Sequence, residues 1–400
     1  MKRAALLGIA LFATACRGEA RPATEDAALA RLVDSLIPQV EHATGLTFKR
    51  KPRAVIISRE QARSYLVGQL QKQFPGERGR SLATSYRLLG LLPDTLDLQK
   101  LFLEILTEQV AGYYDPDSSA FFGVAGADPT TFRITVAHEL VHALQHDYVP
   151  LDSILDARDD ADRLAAAQAV LEGQATIAMF RIQPTIGDRV LEPSFWDDAR
   201  ESIRQQQGSM PQFAGAPRVI REGLLFPYIA GAEYMRWWIT HRPRDQQPFG
   251  ARMPRSSEQI LAPDRAERGD VPLRVTFTGT GAARYGDVLG AAEVRVLLAE
   301  ARGQAELVDP AVLGWGGDRF ELYEAPGGEA LVWIAVFDSP PARDAVLAAL
   351  QRGWPPARSG YRTESAPLKI SGRPGVRLAV APMGWAGWSA LPWGTVSPED

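Results

Sequence analysis

The chain has 400 residues, 46% of them hydrophobic and 23% charged, with a net charge of −4 at pH 7. That balance provides apolar residues for a sizeable core and excludes a chain disordered throughout, while the mild acidity argues against nucleic acid as a partner. A single cysteine excludes an intramolecular disulfide, so packing and any bound metal must hold the fold.

The first residues read as an export leader. Met1-Lys2-Arg3 is a basic start, Ala4 to Phe12 is an apolar run too short to span a bilayer, and Ala13-Thr14-Ala15 meets the small-residue rule for cleavage. Cys16 follows at once, as in a bacterial lipoprotein leader whose cysteine becomes the acylated first residue of the mature chain. Ala13 stands where leucine is usual, and cleavage after Ala15 without acylation is the alternative. Residues 1–15 are then a signal peptide, and 16–26 carry the lipid and a polar tether. No later apolar run reaches the length of a transmembrane helix.

Beyond the leader, Ala27 to Ala43 has helical periodicity, R-A-V-I-I-S from Arg53 is strand-like, and Gln61 to Arg87 and Leu96 to Val110 are mostly helical. Gly112 to Phe122 reads as strand, turn and strand, with Asp115-Pro116-Asp117 at the turn.

Thr131 to Asp147 has no Pro or Gly, and its apolar residues Phe132, Val136, Leu140, Val141 and Leu144 fall at helical spacing. Asp128 and Pro129 mark its start and Pro150 its stop. Within it stands A-H-E-L-V-H-A-L-Q-H. His138 and His142, four apart, lie about 40° apart around a helix axis and can grip one zinc ion. Glu139 is then placed to act as general base towards a water at the metal. His146 drifts about 80° around the helix and some 12 Å along it from His138, which removes it from the same ion. It reads as a C-terminal residue favourable to the helix dipole.

A third ligand is needed, and Glu172 is the candidate. Asp159 to Arg181 is a second, Ala-rich helical pattern, and Gly173 and Ala175 beside the acid would let it approach the zinc helix closely. A glutamate on so apolar a helix is costly to bury unless a cation offsets it. Helices continue to about Arg242, Ala251 to Arg268 is loop-rich, and Asp287 to Ala301 is helical again. From Gly314, R-F-E-L-Y-E and A-L-V-W-I-A-V-F-D read as strands around a Gly-Gly turn, Pro341 to Arg352 as a helix, and L-K-I-S-G-R-P-G-V-R-L-A-V as a hairpin. The tail with Trp385, Trp388 and Trp393 is rich in Gly and Pro and is expected to be partly disordered.

H-E-L-V-H-A-L-Q followed by L-E-G-Q-A-T resembles the glutamate-ligand zincins, or gluzincins. More narrowly, it is similar to a poorly characterised group of prokaryotic secreted or lipid-anchored proteins of peptidase type. Glu108 to Pro116, Leu224 to Gly231, Ser256 to Leu261 and Gly314 to Phe320 extend the likeness, which covers roughly residues 100 to 340. The resemblance implies a zincin-like fold, a predominantly helical peptidase body over residues 27–304 with a small sheet beside the zinc helix; the strand and helix pattern after Gly314 adds a C-terminal α+β region over 305–400, so the fold class expected is α+β. It also implies that the strand near Tyr113 and Tyr114 holds substrate by main-chain pairing, though core packing explains those tyrosines equally well. Gln174 stands where the family leads one to expect Asp, and Thr176 lacks the acid of thermolysin-like enzymes. A Gln there can still accept a hydrogen bond to orient a ligand histidine, but brings no charge.

The expected function is therefore zinc-dependent hydrolysis of peptide bonds in a peptide or protein substrate, with an endopeptidase preferred because no motif for a free terminus is seen. His138, His142 and Glu172 would hold Zn2+, and Glu139 would be the general base. Tyr228, which Pro227 would present at the first turn of a helix, would donate to the oxyanion, with Tyr113, Tyr114 and Tyr234 as alternatives. A non-catalytic zinc- or peptide-binding surface lipoprotein on the same scaffold is the alternative function. The leader reading has its own test, labelling with radioactive palmitate in a bacterial host. The unmodified chain should carry label and sediment with membranes, whereas Cys16→Ser should be unlabelled and released; equal labelling of both would refute acylation at Cys16.

Overall fold

Most of the helices fall where apolar periodicity places them, in an α+β arrangement. The computed structural model describes residues 24–151, 154, 160–208, 210–278, 282–309, 313–385 and 393–398; Cys16 and the rest of the expected leader lie outside the described residues. Helix α1 (Thr24–Thr44) is followed by β1 (Arg53–Ile57), α2 (Arg59–Gln73), α3 (Gly76–Leu88) and α4 (Leu98–Gln109). The helical pattern of Gln61 to Arg87 is thus two helices, divided at Phe74-Pro75 because Pro75 has no N–H for a continuing helix. Ser58 starts α2 with a capping box, its hydroxyl accepting from Gln61 N–H while the Gln61 side chain accepts from Ser58 N–H.

The hairpin β2 (Gly112–Asp115) and β3 (Ala120–Val124) leads into α5 (Pro129–His146), which carries the histidine motif. Asp128 caps α5, its carboxylate accepting from the N–H groups of Thr130 and Thr131, and Pro129 occupies the first turn where its missing donor costs nothing. In the three-stranded sheet the order is β1-β3-β2, with β1 parallel and β2 antiparallel to β3. That makes β2 an edge strand. Helix α5 is buried around its whole circumference from Thr135 to Gln145. Leu29, Val33, Leu36 and Val40 of α1 cover it on one side, and Ala175, Ala178 and Met179 of α6 (Ala161–Arg181) on another.

After α7 (Pro193–Gly208) comes α8 (Arg218–His241), which lies along α6. Contrary to expectation, Pro227 does not start this helix; it sits well inside it, ten residues after Pro217 at the N-cap. Its ring removes one backbone bond, to the carbonyl of Gly223, which is itself exposed so that water can serve instead. Packing on α6 outweighs that loss. The contact is made through glycine: a Cβ on Gly231 would lie 2.1 Å from Ala169 O, and one on Gly173 would lie 2.2 Å from the Gly231 carbonyl carbon. Gly173 therefore admits α8, while Ala175 faces α5; the expectation that both serve the approach to the zinc helix holds for only one of them.

The remaining elements are β4 (Leu273–Thr278), β5 (Tyr285–Asp287), α9 (Gly290–Arg302), β6 (Trp315–Ala325), β7 (Gly328–Phe337), α10 (Pro340–Gln351), β8 (Tyr361–Ile370), β9 (Arg373–Pro382) and β10 (Trp393–Pro398). Two one-turn helices, Ser257–Leu261 and Pro263–Glu267, occupy the stretch expected to be loop. An antiparallel sheet runs β5-β6-β7-β9-β8. The end of the tail is not irregular: β10 pairs with β4 over six residues, from Trp393 against Thr278 to Pro398 against Leu273. One face of the large sheet, with Trp315, Phe320, Trp333 and Leu378, joins α3, α4, α8, α9 and α10 in a common core. Buried Asp318 ties the sheet to α9, accepting from the N–H groups of Leu289 and Gly290 and from the indoles of Trp315 and Trp333.

Two glycine substitutions in α8 should differ in sign. Gly231→Ala must push two helices apart and should cost roughly 1–3 kcal/mol or more. Gly223→Ala, whose Cβ meets nothing within 4 Å, should gain roughly 0.5–1 kcal/mol. Thermal melts of the two variants check this, and a neutral Gly231→Ala would contradict the close crossing.

Candidate metal centre

Helical spacing brings His138 and His142 together, and the crossing of α5 with α6 adds Glu172. His138 Nε2 lies 3.1 Å from His142 Nε2 and 3.0 Å from Glu172 Oε2, and the third side of the triangle, His142 to Glu172, is 3.3 Å. Three ligand atoms at 2.0–2.1 Å from a tetrahedral zinc stand about 3.3–3.4 Å from one another. The observed triangle is nearly that of one face of such a site. His138 is 1% exposed, Glu139 and His142 0%, and Glu172 3%. Lone pairs so close and so dry repel unless positive charge lies among them, and a proton or a metal cation can supply it. These three donors could hold a metal ion.

The titration behaviour has the same cause. Burial favours neutral His142, but the Glu172 carboxylate beside it outweighs this and carries the imidazole up to about 9. Burial likewise opposes ionisation of Glu172, yet the two imidazoles hold it at about 2. His138 shifts the other way, down, because desolvation exceeds what Glu172 returns. The Glu172 charge thus favours a proton on the imidazole beside it.

Glu139 faces the other direction. Its Oε2 accepts a 2.7 Å hydrogen bond from Tyr114 N–H of β2, and Oε1 has no partner among the described groups. Burial, aided by the Glu172 charge, raises its carboxyl to about 8. The Tyr114 N–H that points away from β3 is therefore taken by Glu139, and all four residues of β2 are buried. The tyrosines of this strand pack: Tyr113 stacks on Tyr65 at 3.9 Å between ring centroids, and the Tyr114 hydroxyl meets His146 Nδ1 at 2.8 Å. His146 is accordingly engaged away from the metal ligands. Tyr228 from α8 lies over His138, with ring centroids 6.1 Å apart and planes 30° apart. Tyr234 is buried between α6 and α8 against Trp237 and Trp238 and has no part in the cluster.

Sequence reasoning missed what stands behind His142. Its Nδ1 meets Gln145 Oε1 at 2.9 Å, and Gln145 Nε2 donates to Leu171 O and to Gln174 Oε1. Gln174 hence reaches the histidine only through another amide. The H-A-L-Q spacing, with Gln145 three residues after His142, was the available signal. A second acidic group, Glu258, Asp270 and Asp338, already surrounds the Arg265 guanidinium, which makes contacts of 3.2 Å to Glu258 and 2.6 Å to Asp270 and a further bond to Asp338. Compared with known proteins, the chain matches no family model, no curated protein and no solved structure.

The raised His142 pKa fixes the pH dependence of metal uptake. Below about 9, a metal ion must displace the proton that Glu172 holds on His142, so apparent affinity for added zinc should climb about tenfold per pH unit between pH 6 and 8. Competition against a chromophoric chelator measures it; a flat profile would contradict the protonated cluster.

Proposed function

We propose that this chain is a zinc-dependent peptidase of gluzincin type, held outside a bacterial membrane by lipid on Cys16. The observation that carries the reading is the convergence of His138, His142 and Glu172 within hydrogen-bonding distance, with Glu139 next to the first of them on α5. Those three side chains would hold the ion, which when bound would act as a Lewis acid towards a peptide carbonyl and acidify water there. Glu139, with a carboxyl near 8, is matched to proton exchange at neutral pH: it can take a proton from the attacking water and return it to the leaving amine. The Tyr114 N–H restrains Oε2 and leaves Oε1 as the acceptor. Tyr228, packed on the His138 ring, would offer its phenol to the developing oxyanion. The Gly173–Gly231 crossing sets how far α8 stands from Glu172, and so where that phenol is carried.

The membrane address rests on the leader residues. Among the described residues, no helix is long and apolar enough to cross a bilayer. A second reading, a zinc-holding surface protein without turnover, is favoured by one observation: none of the four site residues is more than 3% exposed.

Metal content and hydrolysis, measured together, separate the two. The unmodified chain should bind about one zinc and cleave members of a peptide library. Glu139→Gln should keep the zinc and lose hydrolysis by a factor on the order of 10²–10⁴; Glu172→Ala should lose the zinc itself. Undiminished cleavage by Glu139→Gln would sink the peptidase assignment, and bound zinc without cleavage of any peptide would select the second reading.

A further inference from the structure

Behind His142 the hydrogen bonds continue past Gln145. Gln174 Nε2 donates to Gln247 Oε1 at 2.8 Å, and Gln247 Nε2 donates to Thr44 O at 3.2 Å. Four elements take part: α5 supplies Gln145, α6 supplies Gln174, the loop after α8 supplies Gln247, and α1 ends at Thr44. Amide orientation is set from both ends. Thr44 O and Leu171 O are carbonyls and can only accept, so Gln247 and Gln145 must each turn their NH2 towards them. Gln247 then presents Oε1 to Gln174, Gln174 presents Oε1 to Gln145, and Gln145 presents Oε1 to His142. The only group left to donate into that last oxygen is His142 Nδ1–H. With the proton on Nδ1, the lone pair of a neutral His142 lies on Nε2, the atom that faces His138 and Glu172.

We infer that Gln145, Gln174 and Gln247 form a neutral positioning relay that fixes the tautomer and ring orientation of His142 for metal binding. The inference rests on the metal-centre reading above and adds to it residues that would not touch the ion themselves. A carboxylate could orient the same histidine with a negative charge. Here the orientation comes from aligned dipoles anchored on the last carbonyl of a 21-residue helix. Arg181 and Arg244 bind the neighbouring carbonyls of Ala43 and His42, so that helix end is held from three sides. The relay therefore acts by direction rather than by net charge, with each amide polarising the next.

The test is zinc affinity of the full chain by chelator competition, with 15N imidazole spectra of the zinc-loaded protein as a second readout. Five histidines keep those spectra sparse. Gln174→Leu, which breaks the relay at its middle, should weaken zinc roughly 10–100-fold and expose the His142 Nδ1 proton to exchange. Gln247→Leu, far from the ligands and half-buried, should weaken it in the same direction by less. Gln174→Glu keeps an acceptor for Gln145 but loses the donor to Gln247, so affinity and the Nδ1 proton signal should recover relative to Gln174→Leu without reaching the unmodified chain, a rescue that a loss of packing alone would not allow. If the unmodified chain binds zinc while Gln174→Leu and Gln247→Leu bind it within about twofold of the same affinity, the relay is refuted and the metal centre stands. If Gln174→Leu fails to fold, Gln247→Leu alone decides. No zinc in the unmodified chain refutes the metal centre and the relay together.

Discussion

Three lone pairs meet within 3.3 Å in a site that water barely reaches, and the fold must bring positive charge to them. An uncompensated buried carboxylate costs several kcal/mol, enough to matter to a domain whose net stability is of the order of 5–15 kcal/mol. The same demand accounts for the opposite shifts of Glu172 and Glu139. Glu172 faces the imidazoles and its carboxyl is held low, while Glu139 sits one residue from His138 on the same helix with a backbone N–H for company and its carboxyl is raised by burial. Two carboxylates are thereby separated in role by their neighbours alone.

Everything around the cluster keeps its parts from relaxing. Helix α5 is gripped by α1, α6 and the small sheet, so the histidine faces cannot rotate. Helix α6 is pinned at its start, where Ala161 N–H donates to Asp287 and Asp162 accepts from Ser257 N–H, and at its middle by the glycine contact with α8. A Cβ on Gly290 would fall on Asp162, so the turn that opens α9 tolerates glycine alone, both for space and for its φ of +71°. The C-terminal sheet thus reaches α6 through a buried acid, Asp287 of β5.

Much of this was legible from residue order. The helix around His138 and His142, its Asp128 cap, the hairpins of β6–β7 and β8–β9 and the helix between them follow from periodicity and turn residues. Those are local signals, set by backbone geometry over a few residues. The place of Pro227 was not legible, because its cost within a helix is overcome by a partner helix remote in sequence. Nor was the end of the tail: a Gly- and Pro-rich stretch has weak strand character alone, and Trp393 to Pro398 form a strand because β4 offers its edge.

The sequence by itself determined the chemistry of the donor atoms and the pairing of two of them, since a spacing of four on a helix needs nothing but the helix. It also singled out Glu172, because an acid among alanines has few ways to be buried. Only the tertiary structure decided that Glu172 meets both imidazoles, that Tyr228 lies over His138, and that Gln174 acts through Gln145 towards Gln247 and Thr44. Those contacts span 29 to 203 positions along the chain and depend on helix crossings that no local pattern encodes.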